Sequence, residues 1–262
     1  DFYEMFFDDA KVVSKELELT LTGKDCGLEQ RAPMCGVPYH ALDNYLTKLV
    51  SMGYKVAICE QVEDPKMAKG IVKREVTRIV TPGTNLNLQS LEESKNNYLM
   101  CIAYSQNCTG VSVVDVTTGD FYMTEVDNIP KLRDEIYKYM PTEIICNDAF
   151  MMSEIDTDDL KNRLKMTIYT LEPWYFDEDG CKKCLIDHFK VSTLAGLGIE
   201  DFPTGVISSG AVMNYLLETY KVSNHLHFFL DYQELLIEFS NQKSCNILYI
   251  EHHTSDVNLN NI

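Results

Sequence analysis

Two residues at the head of the chain have types and spacing suited to chemistry. Phe2 and Glu4 sit at i and i+2 in Phe2-Tyr3-Glu4-Met5-Phe6-Phe7, so an extended strand points both side chains the same way. A ring beside a carboxylate can stack on a flat partner while accepting a hydrogen bond from that partner's edge. Composition alone favours a plainer reading, in which Phe2 is one of three core phenylalanines on a strand. That reading weakens because Phe6 and Phe7 already supply core. A solvated Glu4 also does not readily share a side with a buried Phe2.

Other constellations are weaker. Asp115 and Asp120 resemble metal carboxylates on a nuclease-like sheet, but no third or fourth acid is clustered with them. The plainer reading is a strand aspartate and a turn former. Cys181-Lys182-Lys183-Cys184 with His188 looks like part of a zinc site, yet no second CxxC or His pair completes four ligands. Positions 181, 184 and 188 fall on one face of a helix, where thiols act as small apolar groups. No phosphate-binding glycine loop, dinucleotide fingerprint, HExxH or GxSxG is present. No catalytic residue and no metal ligand is therefore assigned.

These residues must be positioned by elements that the rest of the sequence suggests. The 262 residues suit about two domains, and 45% hydrophobic with 24% charged residues is ordinary globular composition. The net charge of −17 argues against a phosphate-rich partner, but it is unevenly spread. Residues 1–90 carry 11 basic and 13 acidic side chains, and residues 91–262 carry 12 and 27. Leaving out the acidic first ten residues, 11–90 comes to +2. Nine scattered cysteines without a signal peptide fit a reducing, cytoplasmic setting, and no apolar run is long enough to span a membrane. The chain opens on Asp1 rather than Met, as a piece of a longer protein would.

The pattern predicts a strand over 2–7, then a helix over 10–17 capped by Asp8 and Asp9. An extended stretch at 20–22 leads into a turn-rich segment over 23–36. A helix through Tyr45, Leu46, Leu49 and Val50 stops at Gly53, and strands follow at 55–59 and 76–80. Thr81-Pro82-Gly83-Thr84 breaks the chain before a polar linker. Beyond it, strands are expected at 98–104, 110–116, 121–126, 143–146 and 167–170. Helices are expected at 130–139, 158–164, through the CxxC, and at 208–220. Strands in hairpins first, then alternating with helices, imply an α/β layer.

Asp1-Phe2-Tyr3-Glu4-Met5-Phe6-Phe7-Asp8-Asp9-Ala10 resembles the start of the mismatch-recognition domain of the MutS family of DNA mismatch-repair proteins. The resemblance continues through Pro33-Met34-Cys35-Gly36-Val37-Pro38-Tyr39-His40 and Tyr45-Leu46-Thr47-Lys48-Leu49-Val50. It runs on through Val56-Ala57-Ile58-Cys59-Glu60-Gln61, Asp64-Pro65 and Val76-Thr77-Arg78-Ile79-Val80-Thr81-Pro82-Gly83-Thr84. A looser likeness to the family's connector domain lies at Asp115-Val116-Thr117-Thr118-Gly119, Pro141-Thr142-Glu143-Ile144 and Trp174-Tyr175-Phe176-Asp177. Asn258-Leu259 resembles the entry to its lever.

The resemblance implies an α/β chain: a mixed-sheet mismatch-recognition domain, a ribonuclease-H-like connector domain and the start of a helical lever domain. The corresponding ranges are 1–86, a linker at 87–97, 98–224 and 225–262. It further implies that Phe2 stacks on the mispaired base of duplex DNA and Glu4 hydrogen-bonds it. A wedge in the minor groove must unstack a base step, which is easiest where pairing is already broken. Arg31, Met34, Lys73, Arg74 and Arg78 are candidate backbone contacts, with Lys66 and Lys69 in the same basic run. Strand alternation puts Lys73, Glu75 and Thr77 on one face and Arg74, Val76 and Arg78 on the other. It implies too that the connector helps receive a MutL-type partner, whereas the family's homodimer contacts and its ATP and magnesium belong with parts this chain does not contain, so no cofactor and no enzymatic activity is expected here. The rival readings are a metal-dependent nuclease and a MutS paralogue acting on recombination intermediates.

Overall fold

The computed structural model describes residues 2–27, 29–63, 72–85, 96–220 and 237–239, which belong to two compact units, Asp1–Lys95 and Asn96–Ile262. In the first unit, β1 (Phe2–Phe6) runs antiparallel to β3 (Ala32–Pro38), which also pairs with β2 (Thr22–Lys24). The strand order is β1-β3-β2. β3 lies inside and beyond the segment that sequence alone reads as turns. Two prolines and a glycine mislead there, because proline cannot donate to a ladder. The structure accommodates them by setting Pro33 opposite Gly23 and Pro38 at the strand's last position, while Cys35 and Val37 alternate into the core.

Two helices and a hairpin back this sheet. α1 (Phe7–Glu16) begins earlier than the pattern suggests, with Phe6 at its N-cap and no side-chain cap. Asp8 and Asp9 therefore sit within the first turn, where the helix dipole favours acids, rather than capping it. α1 buries Ala10 and Ser14 beneath β3, and the Cys35 thiol donates to the Ala10 carbonyl at 3.5 Å. α2 (Leu42–Ser51) buries Leu46, Leu49 and Val50, and Gly53, at φ 88°, ends it as expected.

β4 (Val56–Gln61) and β5 (Arg74–Val80) form an antiparallel pair with an irregularity between Ile58 and Cys59. Ile58 faces Arg78, but Cys59 faces Val76, so Thr77 is an extra residue. That bulge corrects the expected alternation. Arg78 falls in register with Ile58 and Val80, on the side that reaches the core, not with Arg74 and Val76. The expected break after Val80 is a 3-10 turn over Pro82–Thr84, closed by reciprocal hydrogen bonds between Thr81 and Thr84. Residue 86 and 87–95 of the expected linker lie outside the described residues, as do Lys66 and Lys69.

The second unit is a six-stranded sheet. β6 (Tyr98–Ala103), β7 (Thr109–Asp115) and β8 (Asp120–Val126) form an antiparallel meander. After α3 (Ile129–Tyr139) the chain adds β9 (Glu143–Cys146) parallel to β6. Two short helices, α4 (Asp148–Met151) and α5 (Thr157–Asn162), precede β10 (Thr167–Thr170), parallel to β9. The order β10-β9-β6-β7-β8, a meander followed by parallel strands, is the ribonuclease-H-like arrangement that the family resemblance implies.

Helices cover both faces, which explains why β6, β7 and β9 are buried along their length without alternation. Leu132 and Ile136 of α3 and Leu160 of α5 pack with Met100, Ile102, Val111 and Val113. On the other face lie α6 (Glu178–Phe189) and α7 (Pro203–Tyr220), with Leu185, Val206 and Met213 packing around Met123. α7 starts five residues earlier than the pattern suggests, because Thr204 docks on β7. A Cβ at Gly110 would lie 1.8 Å from the Thr204 carbonyl oxygen, so only glycine permits that approach.

Of the stretch expected to start a lever, only β11 (Ile237–Phe239) is described, a strand parallel to β8. The remainder, including Asn258 and Leu259, lies outside the described residues. No helix among the described residues is long and apolar enough to cross a membrane.

Candidate nucleic-acid interface

β1 is an edge strand with two unlike faces. Tyr3 and Met5 point one way, and Phe2, Glu4 and Phe6 the other. The Tyr3 side is anchored. Its ring packs against Leu46, Val50, Ile58 and Val80, and stacks on Tyr39 with centroids 5.6 Å apart. The Tyr3 hydroxyl donates to Glu60 Oε1 of β4. Burial first, then that hydrogen bond to a carboxylate, raises the Tyr3 phenol above its ordinary value.

The opposite face is open. Phe2 is 65% exposed, an unusual state for a phenylalanine, and the core reading fails for it. Glu4 stands beside it on the same face, in register with Gly36 of β3. A Cβ at position 36 would lie 3.1 Å from the Tyr3 carbonyl oxygen and 3.7 Å from Cδ1 of Phe2. Glycine there keeps the floor beside the ring flat. Lys24 of β2 reaches across to Glu4, with Nζ 2.6 Å from Oε2, and its ammonium also lies 5.4 Å from the Phe6 ring centroid. Nothing in local sequence pattern links Lys24 to Glu4. The ion pair exists because two strand pairings, β1 with β3 and β3 with β2, bring distant residues onto one surface.

The candidate backbone contacts separate. Met34 pairs with Phe6 and shares the open face. Arg31 is exposed immediately before β3, at the same sheet. Lys73 and Arg74 are exposed on the other hairpin, where Lys73 pairs with Glu75 at 2.5 Å and Arg74 reaches the Val72 carbonyl at 3.4 Å. Arg78 is half-buried, near enough to Tyr3 for its charge to act on the phenol.

In the second unit, Asp115 is fully buried and committed to its own turn. Oδ1 accepts from the Thr117 backbone amide at 2.9 Å and the Thr117 hydroxyl at 2.6 Å, and Oδ2 accepts from the Asn97 amide at 3.1 Å. Asp120 accepts from the Thr118 hydroxyl at 2.7 Å. Both acids do structural work in the hairpin. Cys181 is likewise buried, its thiol donating to the Tyr175 and Ile207 carbonyls at 3.1 and 3.3 Å, and burial pushes that thiol up to about 12. It belongs to the α6–α7 packing. Among the described residues, no three His, Cys, Asp or Glu side chains gather as metal ligands would.

Comparison with known proteins matches the same two units. The family model MutS domain I matches residues 1–89, and MutS domain II matches residues 97–229. A DNA mismatch repair protein MutS from Lachnoclostridium phytofermentans is 55% identical over 251 residues, covering 94% of this chain and 27% of that protein. Its counterpart in Ruminiclostridium cellulolyticum is 47% identical over 254 residues, covering 94% and 29%. That of Acetivibrio thermocellus is 48% identical over 237 residues, covering 89% and 27%. The chain thus spans between a quarter and a third of the length of these curated relatives. With both domain models matched in order over most of its residues, the chain belongs to the MutS family.

Proposed function

We propose that the open face of β1 reads mispaired bases in duplex DNA. Phe2 enters the minor groove and stacks on a mispaired base, kinking the step, while Glu4 accepts a hydrogen bond from that base's edge. The observation that carries this reading is the pairing of a 65% exposed Phe2 with Glu4 on one strand face, above an anchored Tyr3. Unstacking costs a few kcal/mol per base step, and least where pairing is already broken, so the wedge itself discriminates. The carboxylate adds selectivity, because it accepts from a base edge but is repelled by phosphate.

The charge distribution supports the division of labour. Residues 11–90 carry a net +2, whereas 91–262 carry −15, a surface suited to protein rather than phosphate. The second unit is accordingly a connector that relays between DNA-bound and ATPase parts and receives a MutL-type protein. ATP and magnesium belong to the ATPase part. This chain has no glycine-rich phosphate loop to hold them. Homodimerisation belongs to that same ATPase part, and the working compartment is the cytoplasm.

Two rivals fare worse. A nuclease would need Asp115 turned outward to a metal, and its oxygens are already filled by three donors. A paralogue for recombination intermediates would leave the exposed Phe2 without a task. The test is the ratio of affinities for G·T-mismatched and matched duplexes. A preference for the mismatch that depends on Phe2 is expected; equal affinities would reject the reading.

A further inference from the structure

We infer that Lys24 is a positioning residue for Glu4: it holds one carboxylate oxygen so that the other faces a base edge, and it sets mismatch preference rather than overall DNA affinity. This inference rests on the mismatch-reading function proposed above. A carboxylate offered to DNA faces two difficulties, repulsion from nearby phosphates and free rotation of its own side chain. Lys24 addresses both. Its Nζ lies 2.6 Å from Glu4 Oε2, and Oε1 has no protein partner among the described residues. A hydrogen-bond donor on a base can therefore engage Oε1 without displacing Lys24.

The lysine is itself restrained. Its ammonium also lies 5.4 Å from the Phe6 ring centroid, a cation–π distance, so two groups of β1 fix the end of a long side chain. Phe2, Glu4, Phe6 and Lys24 all occupy one face of the β1-β3-β2 sheet. Both charges remain partly exposed, with side-chain exposures of 47% for Lys24 and 35% for Glu4. The pair is thus reachable by DNA, and its net charge is zero where phosphates approach.

The test measures affinities of the protein in its full natural length for G·T-mismatched and matched duplexes. The variants are Lys24→Met, Lys24→Arg, Glu4→Gln and the Lys24→Met/Glu4→Gln double. Lys24→Met is expected to lower the mismatch-to-match ratio about threefold to fivefold, the scale of a partly exposed ion pair. Lys24→Arg should restore it, and the Glu4→Gln background should abolish the effect of Lys24→Met on the ratio. An equal loss on both duplexes would make Lys24 a phosphate contact and overturn the inference. So would a ratio change of the same size in the Glu4→Gln background. Phe2→Ala separates the two levels. If it collapses the ratio while Lys24→Met leaves it intact, only the inference fails; if the ratio survives Phe2→Ala, the mismatch-reading function fails.

Discussion

Tyr3 donates its hydroxyl hydrogen bond to Glu60, tying the edge strand β1 to β4 on the side opposite Phe2. This bond, with the Tyr39 stack, is what lets an edge strand hold an aromatic ring out in solvent. Tyr3→Phe keeps the ring and removes the bond. It should cost about 1 kcal/mol, measured by urea unfolding, and an unchanged stability would mean the bond contributes nothing. The raised phenol adds a pH signature. Its stabilisation is complete below the ordinary phenol value of 10.0 and is lost as pH climbs toward the folded-state value, so Tyr3→Phe should remove part of the alkaline loss.

The buried thiol of Cys181 makes a second alkaline contribution, in the other unit. Burial raises it from 9.0 to about 12, so the unfolded chain ionises first. Stability from this group is present below pH 9.0 and declines between 9.0 and about 12. Urea unfolding across that range should show a shallower decline in Cys181→Ala than in the parent, although the variant is less stable at pH 7. Equal slopes would argue that the thiol ionises freely in the fold.

Asp115 separates the structural account of the hairpin from a nuclease. Asp115→Asn sets an amide NH₂ against one of three donors and should cost about 1–3 kcal/mol in urea unfolding. The parent protein should show no magnesium-dependent cleavage of DNA. Cleavage by the parent, lost in a stably folded Asp115→Asn, would instead make this residue catalytic.

Much of this site was readable from the sequence, for identifiable reasons. The shared side of Phe2 and Glu4 follows from the period of a strand, which survives at an edge. The connector's α/β layer follows from hairpins and alternating helices, both local signals, while its strand order comes only with the family resemblance. β3 was hidden because Pro33, Gly36 and Pro38 mimic turns, and only the pairing with Gly23 and the strand end explains them. Plain alternation puts Arg78 on the wrong face because a one-residue bulge at Thr77 resets the pattern and leaves no mark in composition. Lys24 and Glu60 were invisible as partners of β1 because their contacts span three strands and two sheets, distances that no periodicity encodes.

The most direct measurement compares Phe2→Ala with the parent on G·T-mismatched and matched duplexes, using Trp174→Ala as a control for losing an exposed aromatic (53% exposed) elsewhere. Phe2→Ala should erase the mismatch preference, bringing the two affinities within about twofold, because base stacking is worth roughly 1–3 kcal/mol. Trp174→Ala should leave the preference intact. A Phe2→Ala protein that still prefers the mismatch as strongly as its parent would contradict the wedge.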